Sequence, residues 1–230
     1  MGGDIRSILR AACMKEWIKV RLLFWIPFAA LAAALCDVSL MYKGFVAMHG
    51  APALWYELIV KQTVHFSRLS WVLAAAGMFF AALQFVPECS GRRLRLMFHL
   101  PVSYRVSMYT AVGYGLLLNL ALLCAAVGGL ALVFARMGFP RELALPMLGT
   151  LPPWGLAGFA SYCSTAAVLA EPRPARAILF GLLGFGYVTL LTAGNGYSPL
   201  GGNMWPYVLA CLLWPLALES AALRVKEGQR

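Results

Sequence analysis

The chain has 230 residues, of which 61% are hydrophobic and only 12% are charged, and its mean hydropathy is +0.75. Such a composition leaves too little polar surface to cover a water-soluble core, which excludes a soluble globular protein and indicates a membrane protein. The formal net charge of +10 does not indicate a nucleic-acid partner, because the Lys and Arg residues lie in short clusters between apolar runs. These clusters are better suited to setting the topology and contacting anionic membrane lipids.

Residues 1–21 precede the first long apolar run. Between Asp4 and Val20, apolar residues are interspersed with charged ones, a mixture suited to a helix that lies in the cytoplasmic membrane interface. The alternative is a charged tail that only directs the topology. A cleaved signal peptide is not expected, because the charged stretch is long and the residue before Cys36 is a leucine.

Six apolar runs follow within residues 22–230. A helix needs about 20 mostly apolar residues to cross the hydrocarbon core. Because lipid cannot satisfy backbone polar groups, continuous runs of this length predict an all-α, polytopic domain of six transmembrane helices. The fourth run contains Pro146, Pro152 and Pro153, which we expect to kink or break its helix. The predicted spans cover residues 22–40, 69–86, 107–134, 143–170, 177–193 and 205–219.

The distribution of basic residues predicts the orientation of these spans. With an even number of spans, 14 of the 19 Lys and Arg residues share one side with both termini. The positive-inside rule places that side, with both termini and the linker of residues 88–103, in the cytoplasm. The remaining basic residues, on the outer side, are Lys43, Lys61, Arg68, Arg136 and Arg141.

Residues suited to catalysis are scarce. The sequence has no HExxH, GxSxG or P-loop pattern, no span carries a pair of histidines, and the six cysteines form no CxxC pair. We therefore expect no enzyme, metal site or cofactor, and keep a membrane-embedded enzyme only as an alternative. Uncharged polar residues within the spans are candidates to line a transport pathway, or alternatively to form hydrogen bonds between helices. Those candidates are Gln84, Asn119, Tyr162, Thr165 and Thr189.

The linker of residues 88–103, between the second and third spans, has the most specific pattern. Glu88 is followed by Arg92 and Arg93, and these by apolar residues that include Leu96 and Leu100. Pro101 is expected to end a short amphipathic helix there. Such a helix offers apolar side chains to the groove of a soluble partner and basic groups to its acidic rim. The alternative is a basic loop that contacts lipid.

This linker resembles the segment that follows the second span in the ABC-2 type permease family. Members of that family carry an acid, then a basic or glycine-containing stretch, and then Leu-x-x-x-Pro. Here Glu88 and Gly91 to Arg93 follow this order, and Leu96 precedes Pro101 with four intervening residues instead of three. The resemblance implies a coupling helix that docks on a separate ABC ATPase subunit through Glu88, Arg92, Arg93, Leu96, Leu100 and Pro101. It also implies a second permease subunit, as a homodimer or heterodimer.

The expected function is that of a permease subunit of an ATP-binding cassette exporter. Spans with so few charges suit a hydrophobic or amphipathic substrate, such as a lipid, a peptide or a porphyrin. The sequence leaves open a second function, that of a non-transporting membrane anchor or assembly subunit of a respiratory or biogenesis complex. The identity of the soluble partner would discriminate between these two functions.

Overall fold

The protein is described by a computed structural model that covers residues 2–89, 104–194, 196–200 and 202–226. Over these ranges the chain forms helices and connecting turns without a β-strand, which confirms the predicted all-α class. A π-helical turn at Tyr56–Val60 follows α3. The helices are α1 (Gly2–Val20), α2 (Trp25–His49), α3 (Ala51–Trp55), α4 (Arg68–Cys89), α5 (Tyr104–Arg136), α6 (Arg141–Leu148), α7 (Leu151–Ala170), α8 (Pro174–Thr192), α9 (Trp205–Cys211) and α10 (Trp214–Lys226).

Five helical segments in the described ranges are long and apolar enough to cross a membrane, as in a multi-pass membrane protein. They are α2, α4, α5, α8, and the stretch of α9 and α10 from Trp205 to Arg224. The predicted fourth span, residues 143–170, is not among them. It is divided into α6 and α7, and α7 is the most enclosed helix of the bundle. A helix surrounded by other helices can carry small and polar residues, which lower its hydropathy, since it faces little lipid.

Proline explains where two of the predicted spans are interrupted. The expected break in the fourth span is confirmed, because α6 ends at Leu148 and α7 begins at Leu151. Pro152 and Pro153 occupy the first turn of α7, where a backbone N–H has no partner within the helix. The last span is also interrupted, between Cys211 and Trp214, because Pro215 offers no N–H to the Cys211 carbonyl four residues earlier.

Helix α2, which contains the first predicted span, extends beyond its apolar run. The sequence predicts an end at residue 40, whereas α2 continues to His49. The extra turns include Lys43, which is exposed, and Tyr42, which is buried against Phe134 and Phe139. Packing of this aromatic face against the bundle extends the helix past the point where its hydropathy falls.

Close contact with α4 places α7 at the centre of the fold. A Cβ atom added to Gly77 would lie 1.9 Å from the carbonyl oxygen of Gly158, so the two backbones touch where both residues lack side chains. Next to this contact, the Ser161 hydroxyl donates to the Ala74 carbonyl at 2.6 Å. Gly77 contacts Gly158, and further along both helices Gln84 contacts Tyr162, so α4 and α7 are parallel. The small residues allow this close approach.

The two ends of the bundle differ in chemistry. We call the end where α1 packs on α4 and α5 the α1 end; it holds most of the buried charged groups. At the opposite end, rings from several helices pack together, including a contact of 5.6 Å between the ring centroids of Phe66 and Trp154. The buried charged residues of the described ranges, Glu16 and Glu171, thus lie at the α1 end, and the opposite end packs through aromatic rings.

Candidate functional site

Four charged side chains meet at the α1 end, and we call them the ion-pair network: Lys15, Glu16 and Lys19 of α1, and Glu88 of α4. The Nζ atoms of Lys15 and Lys19 lie 2.5 Å and 2.7 Å from the same Oε1 atom of Glu88. Lys19 also lies 2.7 Å from Glu16. Two positive and two negative charges are thus combined, so the network is neutral, as burial near a bilayer requires.

Neutral polar groups extend the network into the bundle. The Gln84 side chain, which is 1% exposed, donates to Glu16 at 3.1 Å and to the Ala111 carbonyl at 3.4 Å. The Tyr162 hydroxyl donates to Gln84 Oε1 at 2.6 Å and to the same Ala111 carbonyl at 3.1 Å. Helices α1, α4, α5 and α7 are therefore joined by one continuous set of hydrogen bonds, which requires all four to keep their relative positions.

Sequence spacing explains why these side chains meet. Lys15 and Lys19 are four residues apart in α1 and so share one helix face, as Gln84 and Glu88 do in α4. In α4 this face is a polar strip on an otherwise apolar helix, whereas α1 carries further charged residues. Two such strips avoid lipid by packing against each other.

Two further ion pairs lie among the helix ends near the network. Arg105, in the first turn of α5, pairs with Glu219 of α10 at 2.9 Å, and the Tyr109 hydroxyl donates to the same carboxylate at 2.6 Å. Glu171, just after α7, has a side chain that is 0% exposed and pairs with Arg224 of α10. Helix α10 is therefore linked to the end of α7 by a buried ion pair, and to α5 by a pair whose Arg105 side chain is 65% exposed.

Together, these contacts hold both flanks of the linker between α4 and α5. Glu88 precedes residues 90–103 and is tied to α1, while Arg105 follows them and is tied to α10. These ion pairs join the two ends of the linker to different parts of the bundle.

The structure brings together some, but not all, of the residues predicted from the sequence. Glu88, Gln84 and Tyr162 belong to one connected cluster, with Gln84 and Tyr162 forming the interhelical hydrogen bonds considered as their alternative role. Asn119 is buried and donates to the Gly115 carbonyl of its own helix at 2.8 Å, and Thr189 donates to the Gly186 carbonyl at 2.8 Å. The remaining predicted coupling residues, Arg92, Arg93, Leu96, Leu100 and Pro101, lie outside the described residues.

Sequence reasoning missed the role of α1. The sequence predicts that Lys15, Glu16 and Lys19 are charges of an interfacial helix, whereas Glu16 is only 2% exposed in the structure. The signal that could have identified them is the matching four-residue spacing of Lys15 with Lys19 and of Gln84 with Glu88. Nothing in one sequence says that these two strips face each other.

A separate cavity of about 450 Å³ opens between α4, α7 and α8. Trp71, Met78 and Phe185 form much of its apolar wall, and Ser161, Ser164 and Thr165 add hydroxyl groups. The hydroxyls of Ser161 and Ser164 donate to backbone carbonyls, so they present oxygen lone pairs to the cavity. Thr165 is the one predicted pathway residue that lines this space, which suits an apolar ligand with a few polar atoms.

Within the described ranges, no group of three or more His, Cys, Asp or Glu side chains is arranged to hold a metal ion.

Comparisons of the chain with protein-family models, curated proteins and solved structures gave no match.

Proposed function

We propose that this protein is the permease subunit of an ATP-binding cassette exporter in a bacterial inner membrane. It would couple ATP hydrolysis by a separate ATPase subunit to the movement of a hydrophobic or amphipathic substrate, in a dimer of permease subunits. The observation that carries this proposal is the pair of ion-paired contacts that hold the two flanks of residues 90–103.

The proposed coupling follows from those contacts. The linker resembles a helix that docks on an ATPase, and its acid, Glu88, bonds to Lys15 and Lys19 within its own chain. A displacement of the linker by the ATPase would therefore move α1 through Glu88 and α10 through Arg105. Because the network continues through Gln84 to Tyr162, the displacement would also reach α7 at the centre of the bundle.

We propose that α7 also crosses the membrane, as the fourth span in chain order, which brings the number of transmembrane helices to six. It has 20 residues, which corresponds to about 30 Å of helix and matches the thickness of the hydrocarbon core. It packs in parallel with α4, a helix that meets the length and hydropathy requirements of a span. Six spans would put the α1 end and the linker on the cytoplasmic side, where an ATPase is found.

The cavity between α4, α7 and α8 supports the proposed substrate class. Its wall is mainly apolar, with hydroxyl groups at Ser161, Ser164 and Thr165. An amphipathic molecule could enter such a space from the membrane without stripping a charged group of water. Because α7 lies between the cavity and the polar cluster, a shift of α7 would change the shape of the cavity.

The test is purification of the tagged full-length chain in a mild detergent, with mass spectrometry of the proteins that remain bound. We expect an ATPase with Walker motifs, lost from the double variant Arg92→Ala with Arg93→Ala and retained by Arg141→Ala, which removes a basic residue at the opposite end. Recovery of a redox subunit instead would favour the membrane anchor. Equal retention by both variants would contradict docking through the linker.

A further inference from the structure

A groove between α2 and α5 lies on the outer surface of the bundle, away from the polar cluster. It has a volume of about 590 Å³ and runs toward the end of the bundle opposite α1. Its inner part is apolar and is formed by Ala32 and Leu35 of α2 with Gly129 and Leu132 of α5. Gly129 keeps the two helices close, since a Cβ atom there would lie 2.3 Å from a methyl group of Leu35.

Two basic residues close the groove at that end. Lys43 of α2 and Arg136, the last residue of α5, both line it and are both exposed. Neither has a carboxylate within ion-pair distance among the described residues. By contrast, Arg68 and Lys61, also at this end, pair with Asp37 and Glu57 at 2.7 Å and 2.6 Å. Within the part of the chain that the structure describes, two cations without an ion-pair partner therefore lie at one end of an apolar groove.

Along α2, the length of the groove is close to that of one leaflet of a bilayer. Ala32 and Lys43 are about three helical turns apart, or about 16 Å along α2. That distance is roughly half of the hydrocarbon thickness. A molecule with its acyl chain beside Ala32 and Leu132 would hold its headgroup next to Lys43 and Arg136.

We propose that this groove binds an anionic phospholipid of the surrounding bilayer, with its phosphate between Lys43 and Arg136. The guanidinium group of Arg136 can donate two parallel hydrogen bonds to phosphate oxygens, and the Lys43 ammonium adds a second charge. Charge complementarity selects an anionic headgroup over a zwitterionic one, whose phosphate charge is balanced by its own cation. The apolar slot selects a lipid over a small soluble anion.

The test is native mass spectrometry of the full-length chain in detergent, titrated with palmitoyl-oleoyl phosphatidylglycerol and, separately, with the phosphatidylcholine of the same chains. We expect tighter binding of phosphatidylglycerol, and a loss on the order of fivefold for each cation removed in Lys43→Gln and Arg136→Gln. Arg141→Gln is the matched control, because Arg141 is exposed at the same end but does not line the groove. An equal loss in Arg141→Gln would overturn the proposal, since only the general charge of this end would then matter.

A second pair of variants tests the apolar part without changing charge. Ala32→Trp should fill the slot and weaken phosphatidylglycerol binding, whereas Leu182→Trp, on the exposed face of α8, should leave it unchanged. Unchanged binding by Ala32→Trp would overturn the proposal, because the cations would then be holding a headgroup without the groove. Displacement of the lipid by inorganic phosphate at comparable concentration would overturn it for the same reason. These measurements need no ATPase subunit and do not depend on the proposed transport function.

Discussion

At the scale of single residues, the degree of burial distinguishes ion pairs that stabilise the fold from ion pairs that contribute little to its stability. The Lys19 side chain is 13% exposed and the Glu16 side chain 3% exposed, whereas Lys61, which pairs with Glu57 in the loop region, is 53% exposed. Water screens the second pair and supplies alternative partners. The first pair has few alternatives, so removing one member leaves a buried charge without compensation.

We therefore predict that Lys19→Gln lowers the free energy of unfolding by about 3 kcal/mol. Lys61→Gln is the matched control and should cost less than about 1 kcal/mol. Reversible unfolding in mixed detergent micelles, followed by circular dichroism, would measure both. Similar losses of unfolding free energy in the two variants would contradict a larger stabilising role for the buried pair.

The Tyr162 hydroxyl gives a second residue-scale prediction. Tyr162→Phe removes the hydrogen bonds to Gln84 and to the Ala111 carbonyl while keeping the ring, so it should cost about 1 kcal/mol. The same assay should detect a coupling between Tyr162→Phe and Gln84→Leu, because both changes remove the same bond. Strictly additive costs in this double-mutant cycle would contradict a direct interaction.

His65, in the connection before α4, gives the chain a predicted sensitivity to acid. Burial lowers its pKa from the ordinary value of 6.5, although Glu57 opposes this shift, and its Nε2 atom has no hydrogen-bond partner among the described residues. The unfolded chain therefore binds a proton more readily, and stability should fall as the pH drops below about 6.5 toward the pKa of the folded state.

Thermal unfolding measured across this pH range would test the role of His65. His65→Gln should lose part of the acid sensitivity. An unchanged pH dependence in His65→Gln would assign the effect to other groups.

At the scale of elements, the contact between α4 and α7 depends on glycine. A Cβ atom at position 77 would meet the Gly158 carbonyl oxygen at 1.9 Å, whereas one at position 128 would meet nothing within 4 Å. Gly77→Ala should thus force the two backbones apart and cost roughly 1 to 3 kcal/mol. Gly128→Ala is the control and should be neutral or slightly stabilising, since alanine favours the helix. Equal unfolding temperatures for the two variants would contradict the close contact.

At the scale of the whole molecule, the proposed transmission of force makes a functional prediction. In a complex reconstituted with its ATPase, Glu88→Ala should reduce substrate transport while ATP hydrolysis and membrane insertion persist. Glu57→Ala is the control, because it removes an acid at the opposite end of the bundle, where the Glu57 side chain is 22% exposed. It should leave substrate transport and ATP hydrolysis unchanged. Normal transport per ATP hydrolysed in the Glu88 variant would contradict a coupling role for this network.

The sequence by itself determined the membrane class, the helical content and the break before Leu151, because these depend on local properties: runs of apolar residues and the missing N–H of proline. It also singled out Glu88, Gln84 and Tyr162. Only the tertiary structure decided that α1 pairs with α4 through Lys15 and Lys19, that α7 lies at the centre, and that α2 runs on to His49. Those features depend on contacts between residues far apart in the chain, and hydropathy and spacing record which face of a helix is polar without recording what that face meets.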